Sequence, residues 1–261
     1  MYDLNCFYSL LDEYAPLSIS KKMIEGGDYD NSGILVKNTK NVTGALFTLD
    51  LTTASVTRAK AKGVNTIVTH HPAIYNPISS LGVNPQTCAL LSAIKNGFNV
   101  ISMHLNLDCA VNGIDSMMAK GLGASEYKIL DMVDDKHGYG REFIVNQKLS
   151  EIVKRVKKEF QTNKLIVYGN KNRAIKKIAS FCGAGSSVAM KCLSNGKTDA
   201  DLIVTADVPH HVIKELVEKG VSVIVMPHYV SEVYGFKEFY NQISKKAIGL
   251  KTYFFDDIRF R

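Results

Sequence analysis

AKGVNTIVTH (61–70), KNGFNVISMH (95–104) and EKGVSVIVMPH (218–228) are three versions of one pattern that decides the fold. Each begins at a helix end and continues through a glycine and an apolar strand to a histidine, seven, seven and eight residues after the glycine. Continuous apolar strands that alternate with helices are typical of parallel or mixed sheets covered by helices. The pattern therefore predicts an α/β fold in which three strands each end in a histidine.

The rest of the chain shows the same alternation. Further strands are predicted over 45–51, 164–169, 176–182 and 201–207, and helices over 52–63, 87–97 and 209–220. The stretch 125–175 is less regular, and the chain has no long linker. Because ligands of open α/β sheets bind at the carboxyl ends of the strands, the three histidines are expected at one functional edge.

Composition is that of a globular protein, with 46% hydrophobic and 22% charged residues. The N-terminal stretch is acidic at Asp3, Asp12 and Glu13 and does not resemble a signal peptide. Five scattered cysteines without a C-x-x-C pair favour reduced thiols and a cytoplasmic location. The net charge of +7 favours anionic partners, but the basic residues are dispersed, so nucleic-acid binding is not expected. No membrane association is expected either, since no apolar run is long enough to cross a bilayer.

The histidines lie in motifs with further potential metal ligands. His70 is followed directly by His71 and Pro72, while H-L-N-L-D and H-Y-V-S-E place Asp108 four residues after His104 and Glu232 four residues after His228. A histidine and a carboxylate four apart share one face of a helical turn, as in H-E-x-x-H zinc motifs. Pro72 favours an extended His71, so that the adjacent rings diverge and serve two ions side by side.

Each feature alone has an ordinary explanation, since a single histidine at a strand end is usually a hydrogen-bonded core or surface residue. Together, four histidines and two carboxylates at the ends of three similar units favour metal binding. Imidazole and carboxylate ligands suit Zn, Fe, Mn, Co or Ni better than Ca or Mg. We therefore predict two divalent ions per chain, with a carboxylate that bridges them.

Three sequence motifs, and their order along the chain, resemble those of the GTP cyclohydrolase I type 2 homologue family, the dinuclear-metal, Nif-three-like proteins. They are THHPAIYNPISSL (69–81), HLNLDCAVNGID (104–115) and DLIVTADVPHHVIKELVEKGVSVIVMPHYVSEVYGF (201–236). DYDNSGILV (28–36) and FCGAGSS (181–187) extend the resemblance over nearly the whole chain. It implies two similar intertwined α/β lobes with mixed sheets, here 1–125 and 126–261, with the metal site between them and assembly into a toroidal homohexamer.

The resemblance also implies roles for individual residues. The metal ligands would be His70, His71, Asp108, His228 and Glu232, with Glu232 as the bridging ligand. His104 matches a histidine at the site and is the candidate catalytic residue, as a group that transfers protons.

The chain departs from the family pattern at two places. It has Tyr29 where the family usually has tryptophan, and Ser186 and Ser187 where glycines are common. The GAGSS loop (183–187) is compatible with a phosphate cradle or with a simple tight turn. His210 and His211 fit a supporting or exposed position, and His137 fits a loop.

Two functions from different classes fit these observations. The first is a metal-dependent hydrolase that acts on a small anionic substrate such as a nucleotide, with GTP ring opening and formate release implied by the resemblance. The second is a metal-binding regulatory or metal-handling protein with little turnover. A screen of the metal-loaded protein against nucleotides and phosphoesters distinguishes them.

Overall fold

The structure is a computed structural model that describes residues 2–85 and 87–261. It is a mixed α/β fold with mixed sheets, which confirms the fold class predicted from the strand and helix alternation. The chain divides into two compact units. The first runs to Ala110 and adds Phe236–Ile258, and the second comprises Val111–Gly235 with Arg259–Arg261. Among the described helices, none combines the length and apolar character that crossing a membrane requires.

The elements up to Ala110 are β1 (Tyr2–Asp3), α1 (Leu4–Tyr14), α2 (Leu17–Glu25), β2 (Gly33–Val36), β3 (Asn41–Val42), β4 (Gly44–Thr48), α3 (Thr53–Ala61), β5 (Thr66–Thr69), α4 (Cys88–Lys95), β6 (Asn99–Ser102) and α5 (Leu105–Cys109). The following elements are α6 (Ile114–Leu122), β7 (Lys128–Met132), β8 (Gly138–Lys148), α7 (Leu149–Glu159), β9 (Ile166–Tyr168), β10 (Ala174–Ser180), α8 (Ser186–Ser194), β11 (Leu202–Ala206), α9 (His210–Glu218), β12 (Ser222–Met226), α10 (His228–Lys246), β13 (Lys251–Phe254) and a 3₁₀ turn (Ile258–Phe260).

The first unit is built on a five-stranded sheet of order β13-β4-β5-β6-β2. Four strands run parallel, and β2 pairs antiparallel with β6 at the edge. Every residue of β4, β5 and β6 is buried, as their continuous apolar sequences predict. Gly63 and Gly97 follow helices α3 and α4 with φ of +66° and +74°, a left-handed conformation that glycine adopts without strain. Each strand of the repeat therefore begins at a glycine helix stop.

The second unit has a six-stranded sheet of order β7-β8-β10-β11-β12-β9. Strands β10, β11 and β12 are parallel, and the other three join antiparallel. The stretch 125–175 contains β8, which has 11 residues. Its apolar residues largely alternate with partly exposed ones rather than forming a continuous run, and this is why the sequence showed no clear strand there.

Helix α10 has 19 residues, although the sequence indicated only a helical turn at its start. The border between the units falls inside it, after Gly235. In the first unit Phe236, Phe239 and Tyr240 pack on Phe47 of β4, with ring centroids 6.4, 6.0 and 5.4 Å away.

The expected lobes 1–125 and 126–261 stay a prediction. In the two compact units, residues 111–125 group with the second unit and residues 236–258 with the first. The aromatic packing of α10 on β4 and the pairing of β13 with β4 hold residues 236–258 in the first unit, and neither contact is local in sequence.

Candidate metal centre

The first unit brings three of the sequence-predicted histidines together. His70 and His71 follow β5, and His104 follows β6, which is the parallel neighbour of β5. One ring nitrogen from each of the three lies within 4.8 Å of the others. The rings of His70 and His71 are 4.9 Å apart and tilted by 50°, and those of His70 and His104 are 5.2 Å apart. We call these three residues the histidine cluster.

All three imidazoles are oriented by an oxygen atom beside Nδ1. At 2.7 Å in each case, His70 faces the carbonyl of Met103, His71 faces Asp50 and His104 faces Asp30. A neutral imidazole that faces a carbonyl or carboxylate at Nδ1 carries its proton there, so Nε2 keeps its lone pair. Histidines that bind metals in proteins usually have such a partner on their second nitrogen. The cluster therefore has the arrangement of a metal ligand set.

Asp30 is the most buried of the acceptor carboxylates. Besides facing His104, it accepts hydrogen bonds from the hydroxyls of Ser20 at 2.5 Å and Ser32 at 2.7 Å. Burial alone would raise its pKa, but the hydrogen bonds from His104 and the two serines outweigh burial and lower the pKa to about 2. Asp30 is thus a fixed negative charge that holds the His104 ring.

Asp108 lies one helical turn after His104, on the short helix α5. Its backbone N–H donates to the carbonyl of His104 at 2.9 Å, and its Oδ1 lies 3.5 Å from Nε2 of His70. Asp108 is buried, and His70 is fully buried. The i, i+4 spacing read from the sequence therefore places a carboxylate oxygen beside the histidine cluster.

The second unit contains the other predicted pair, on the first turn of α10. Nε2 of His228 lies 2.9 Å from Oε1 of Glu232, which is buried. Nδ1 of His228 faces Asp207 at 2.5 Å, so this imidazole is oriented as the three others are. Asp207 follows β11 and has φ of 49°, an uncommon left-handed conformation for a residue other than glycine. In all four histidines the oxygen acceptor thus lies at Nδ1, and Nε2 is the nitrogen on the other side of the ring.

Gly183 packs directly against this pair. A Cβ at this position would lie 2.4 Å from Oε1 of Glu232 and 3.3 Å from Nε2 of His228, and φ is +55°. Its N–H donates to Oγ of Ser231 at 2.9 Å, and that hydroxyl donates to the carbonyl of His228 at 2.7 Å. Close approach accounts for the first glycine of the GAGSS loop without a phosphate.

A buried ion pair contacts the chain at Cys182, the residue directly before this loop. Oδ1 of Asp115 accepts from the N–H of Cys182 at 3.1 Å, and its Oδ2 lies 3.2 Å from Nη1 of fully buried Arg141. Burial raises the pKa of Asp115 to about 6, and the nearby Arg141 charge offsets only part of that effect. Breaking such a pair by removing one partner is costly, since the other charge is left without compensation.

The remaining histidines lie elsewhere. His210 and His211 are exposed at the start of α9, in line with one of the two positions expected for them. Nδ1 of His137 faces Asp134 at 2.9 Å, three residues away in the turn between β7 and β8. None of these three belongs to a group of potential metal ligands among the described residues.

Sequence reasoning missed the acceptor carboxylates Asp30, Asp50 and Asp207. Asp50 and Asp207 stand just after β4 and β11, at the edge where the histidines were expected. A search for carboxylates at all strand ends, rather than only after histidines, finds both of them. Asp30 precedes β2, whose pairing with β6 puts Gly33 opposite Ser102 and so brings Asp30 to His104. That pairing was not predictable from local sequence.

Comparisons with known proteins agree with the motifs. The chain matches the family model described as Duf34/NIF3 (NGG1p interacting factor 3) over residues 3–259. A Clostridium perfringens protein named GTP cyclohydrolase 1 type 2 homolog is 30% identical over 235 residues, covering 88% of this chain and 86% of its own. A Lactococcus lactis protein of the same name is 31% identical over 228 residues, covering 85% of each.

A crystal structure of a Staphylococcus aureus hypothetical protein superposes with a TM-score of 0.82 and 25% identity, over 97% of this chain and 96% of that one. The matches confirm the resemblance that the sequence motifs indicated.

Proposed function

Because this chain belongs to the Duf34/NIF3 family, we propose that it is a hydrolase that uses two divalent metal ions and acts on a nucleotide. The observation that best supports the proposal is the common orientation of four imidazoles. Each has an oxygen acceptor at Nδ1, so Nε2 is the nitrogen that would bind a metal in His70, His71 and His228 and would exchange protons in His104. His137 also faces an aspartate at Nδ1, but among the described residues it belongs to no group of potential ligands, whereas these four do.

The proposed ligands are those expected from the sequence: His70, His71, Asp108, His228 and Glu232, with Glu232 bridging. Nitrogen and carboxylate oxygen donors fit Zn, Fe, Mn, Co or Ni, and the buried carboxylates Asp108 and Glu232 would neutralise part of the added charge. Gly183 leaves Glu232 the space that any side chain at 183 would fill. The donor set and this space both fit a metal centre.

Divalent ions bound here would supply a water molecule whose pKa is lowered to about 7. The chain's own contribution is to fix the imidazoles and to move protons. His104 is the residue we assign to proton transfer, because Asp30 holds its Nδ1 and leaves Nε2 to exchange a proton with substrate or water.

The substrate class comes from the relatives, which are named GTP cyclohydrolase 1 type 2 homologs. In that reaction one water adds at C8 of guanine as the C8–N9 bond breaks. A second water then breaks the C8–N7 bond and releases C8 as formate. A net charge of +7 favours an anionic substrate such as a nucleoside triphosphate.

The test is formate release from GTP by the metal-loaded protein, beside a generic phosphoester, with and without a chelator. We expect two metal ions per 28.8 kDa chain by elemental analysis, activity lost with chelator, and loss of both metal and activity in Glu232→Ala. If the fully loaded protein turns over neither substrate faster than Glu232→Ala, the hydrolase is wrong and the metal-handling function replaces it.

Two further expectations belong to the same proposal. We propose a homohexamer in solution, for which light scattering would give a mass near six times 28.8 kDa. We also propose a cytoplasmic location, since the five cysteines are scattered along the chain and include no C-x-x-C pair. A stable monomer at micromolar concentration would contradict the homohexamer.

A further inference from the structure

Two tyrosines stand beside the histidine cluster with much of their surface open. Tyr29 and Tyr75 are each 46% exposed, and their rings meet edge to face at 69°, with centroids 5.1 Å apart. The Tyr75 ring is also perpendicular to that of His104, at 87° and 6.1 Å. Two perpendicular rings in contact cannot cover both faces of each other. Part of a tyrosine ring face therefore stays open to a ligand next to the His104 imidazole.

The pair is held in place by hydrogen bonds on both sides. The hydroxyl of Tyr29 donates to the backbone carbonyl of Tyr75 at 2.5 Å, and Nδ2 of Asn31 donates to the carbonyl of Ile74 at 2.6 Å. Between them in sequence, Asp30 fixes His104. Residues 29–31 thus order both the aromatic pair and the proposed proton-transfer residue, and a ligand that bound there would lose little entropy in ordering them.

The chemistry of the pair selects a ligand class. Aromatic side chains stack on nucleic-acid bases, because every base has a π face. A cationic partner over the rings is the other common choice, but the chain's net charge of +7 disfavours it. We propose that Tyr29 and Tyr75 form a stacking platform that holds the planar base of a nucleotide against His104. The inference rests on the proposed nucleotide function and names the part of the substrate that is recognised.

The test compares two probes that differ only in the base, GMP and ribose 5-phosphate, titrated calorimetrically into the metal-loaded protein. We expect GMP to bind at least about tenfold more tightly, and Tyr75→Leu to lose about tenfold to a hundredfold in GMP affinity with no change for ribose 5-phosphate. Tyr75→Phe is the matched control, since it keeps the ring and should keep GMP affinity. Tyr29→Phe keeps the ring but removes the hydrogen bond to the Tyr75 carbonyl. We expect it to lose less GMP affinity than Tyr75→Leu does.

A second variant keeps the test independent of how well Tyr75→Leu folds. The chain contains no tryptophan, so Tyr75→Trp introduces a single fluorescent indole at the platform. GMP should quench its emission, while ribose 5-phosphate should not. Equal binding of the two probes by wild type, or unchanged GMP affinity in Tyr75→Leu, would overturn the platform. So would a change of molecular mass in Tyr75→Leu with GMP affinity intact, because the tyrosines would then be a subunit contact.

These measurements involve no turnover, so they separate the two proposals. If formate release fails but GMP binding still depends on Tyr75, the hydrolase is wrong and the platform stands. If GTP is hydrolysed with the same kcat/KM by wild type and Tyr75→Leu, the platform is wrong and the hydrolase stands.

Discussion

The two units hold their histidines by different means. In the first unit two of the three acceptors are a backbone carbonyl, for His70, and the fully buried side chain of Asp30, for His104. The third, Asp50 beside His71, is 34% exposed. In the second unit the side chains of His228 and Asp207 are 33% and 56% exposed. Hydrogen bonds are stronger away from water, so the first unit orients two of its three rings by burial.

The second unit relies instead on backbone shape. Asp207 and Gly183 both adopt left-handed conformations beside His228, and Gly183 approaches Glu232 more closely than any other residue type would allow. The difference indicates that the histidine cluster of the first unit is sensitive to loss of a buried polar group, whereas the His228–Glu232 pair of the second is sensitive to added volume.

The largest expected effect comes from Gly183→Ala. Its Cβ would lie 2.4 Å from Glu232, whereas Gly196 has a similar φ of +66° with nothing within 4 Å. Both substitutions should cost about 1–2 kcal/mol of stability through the left-handed backbone. Only Gly183→Ala should also lose most of the bound metal, measured by elemental analysis beside thermal denaturation. Full metal content in Gly183→Ala would show that the close approach has no role at this pair.

His104→Ala should separate metal binding by the histidine cluster from proton transfer. If His104 transfers protons and is not a ligand, turnover should fall by about 10²–10⁴ while metal content is retained. His137→Ala is the control, because its ring also faces an aspartate but lies outside the cluster. Loss of metal together with activity would identify His104 as a ligand instead.

Removing the acceptor carboxylates compares the units directly. Asp50→Asn in the first unit and Asp207→Asn in the second should each weaken metal affinity by about 10–100-fold, because His71 and His228 lose their charged partner. The effect of Asp50→Asn should be the larger, since Asp50 is less exposed than Asp207. Competition with a chelator of known affinity measures both. The reverse order would mean that burial does not set the strength of these contacts.

The buried ion pair of the second unit predicts a pH dependence of stability. The pKa of Asp115 is raised by burial from 3.8 to about 6, so the folded chain binds a proton that the unfolded chain has released between these values. Its contribution to the free energy of unfolding is therefore greatest below about pH 4 and declines as the pH rises through 6.

In Asp115→Asn the decline in Tm from about pH 4 to 6 should be smaller than in wild type, because the titrating group is gone. Asp131→Asn is the control. Burial would raise the pKa of Asp131, but Lys197 and Lys191 lower it, so it titrates below this window. An unchanged pH profile in Asp115→Asn would show that this carboxyl does not titrate in the window.

The smallest effect is expected for His210→Ala and His211→Ala. Both side chains are exposed at the start of α9, and surface substitutions usually change stability by less than about 0.5 kcal/mol. Metal content and turnover should match wild type in each. A loss of metal in either would extend the second unit's ligand set beyond His228 and Glu232.

The sequence predicted the parts of the site that follow one another along the chain. Strand ends and i, i+4 spacing are local properties, and they located the three histidine motifs correctly at the ends of β5, β6 and β12. Asp30 was not predictable as the partner of His104, because 74 residues separate them and only the antiparallel pairing of β2 with β6 joins them. The contact of Gly183 with Glu232 depends likewise on tertiary packing, although the glycine itself was visible.

Helix α5 has only five residues, and it separates His104 from Asp108 by a single turn. Because each residue of a helix advances about 100° around the axis, inserting one residue here would swing the carboxylate by about a quarter of a circle away from the imidazoles. A deletion would swing it as far the other way. Homologous chains can therefore vary in side chain at the middle of this turn, but any that bind metal in the same way must keep its length.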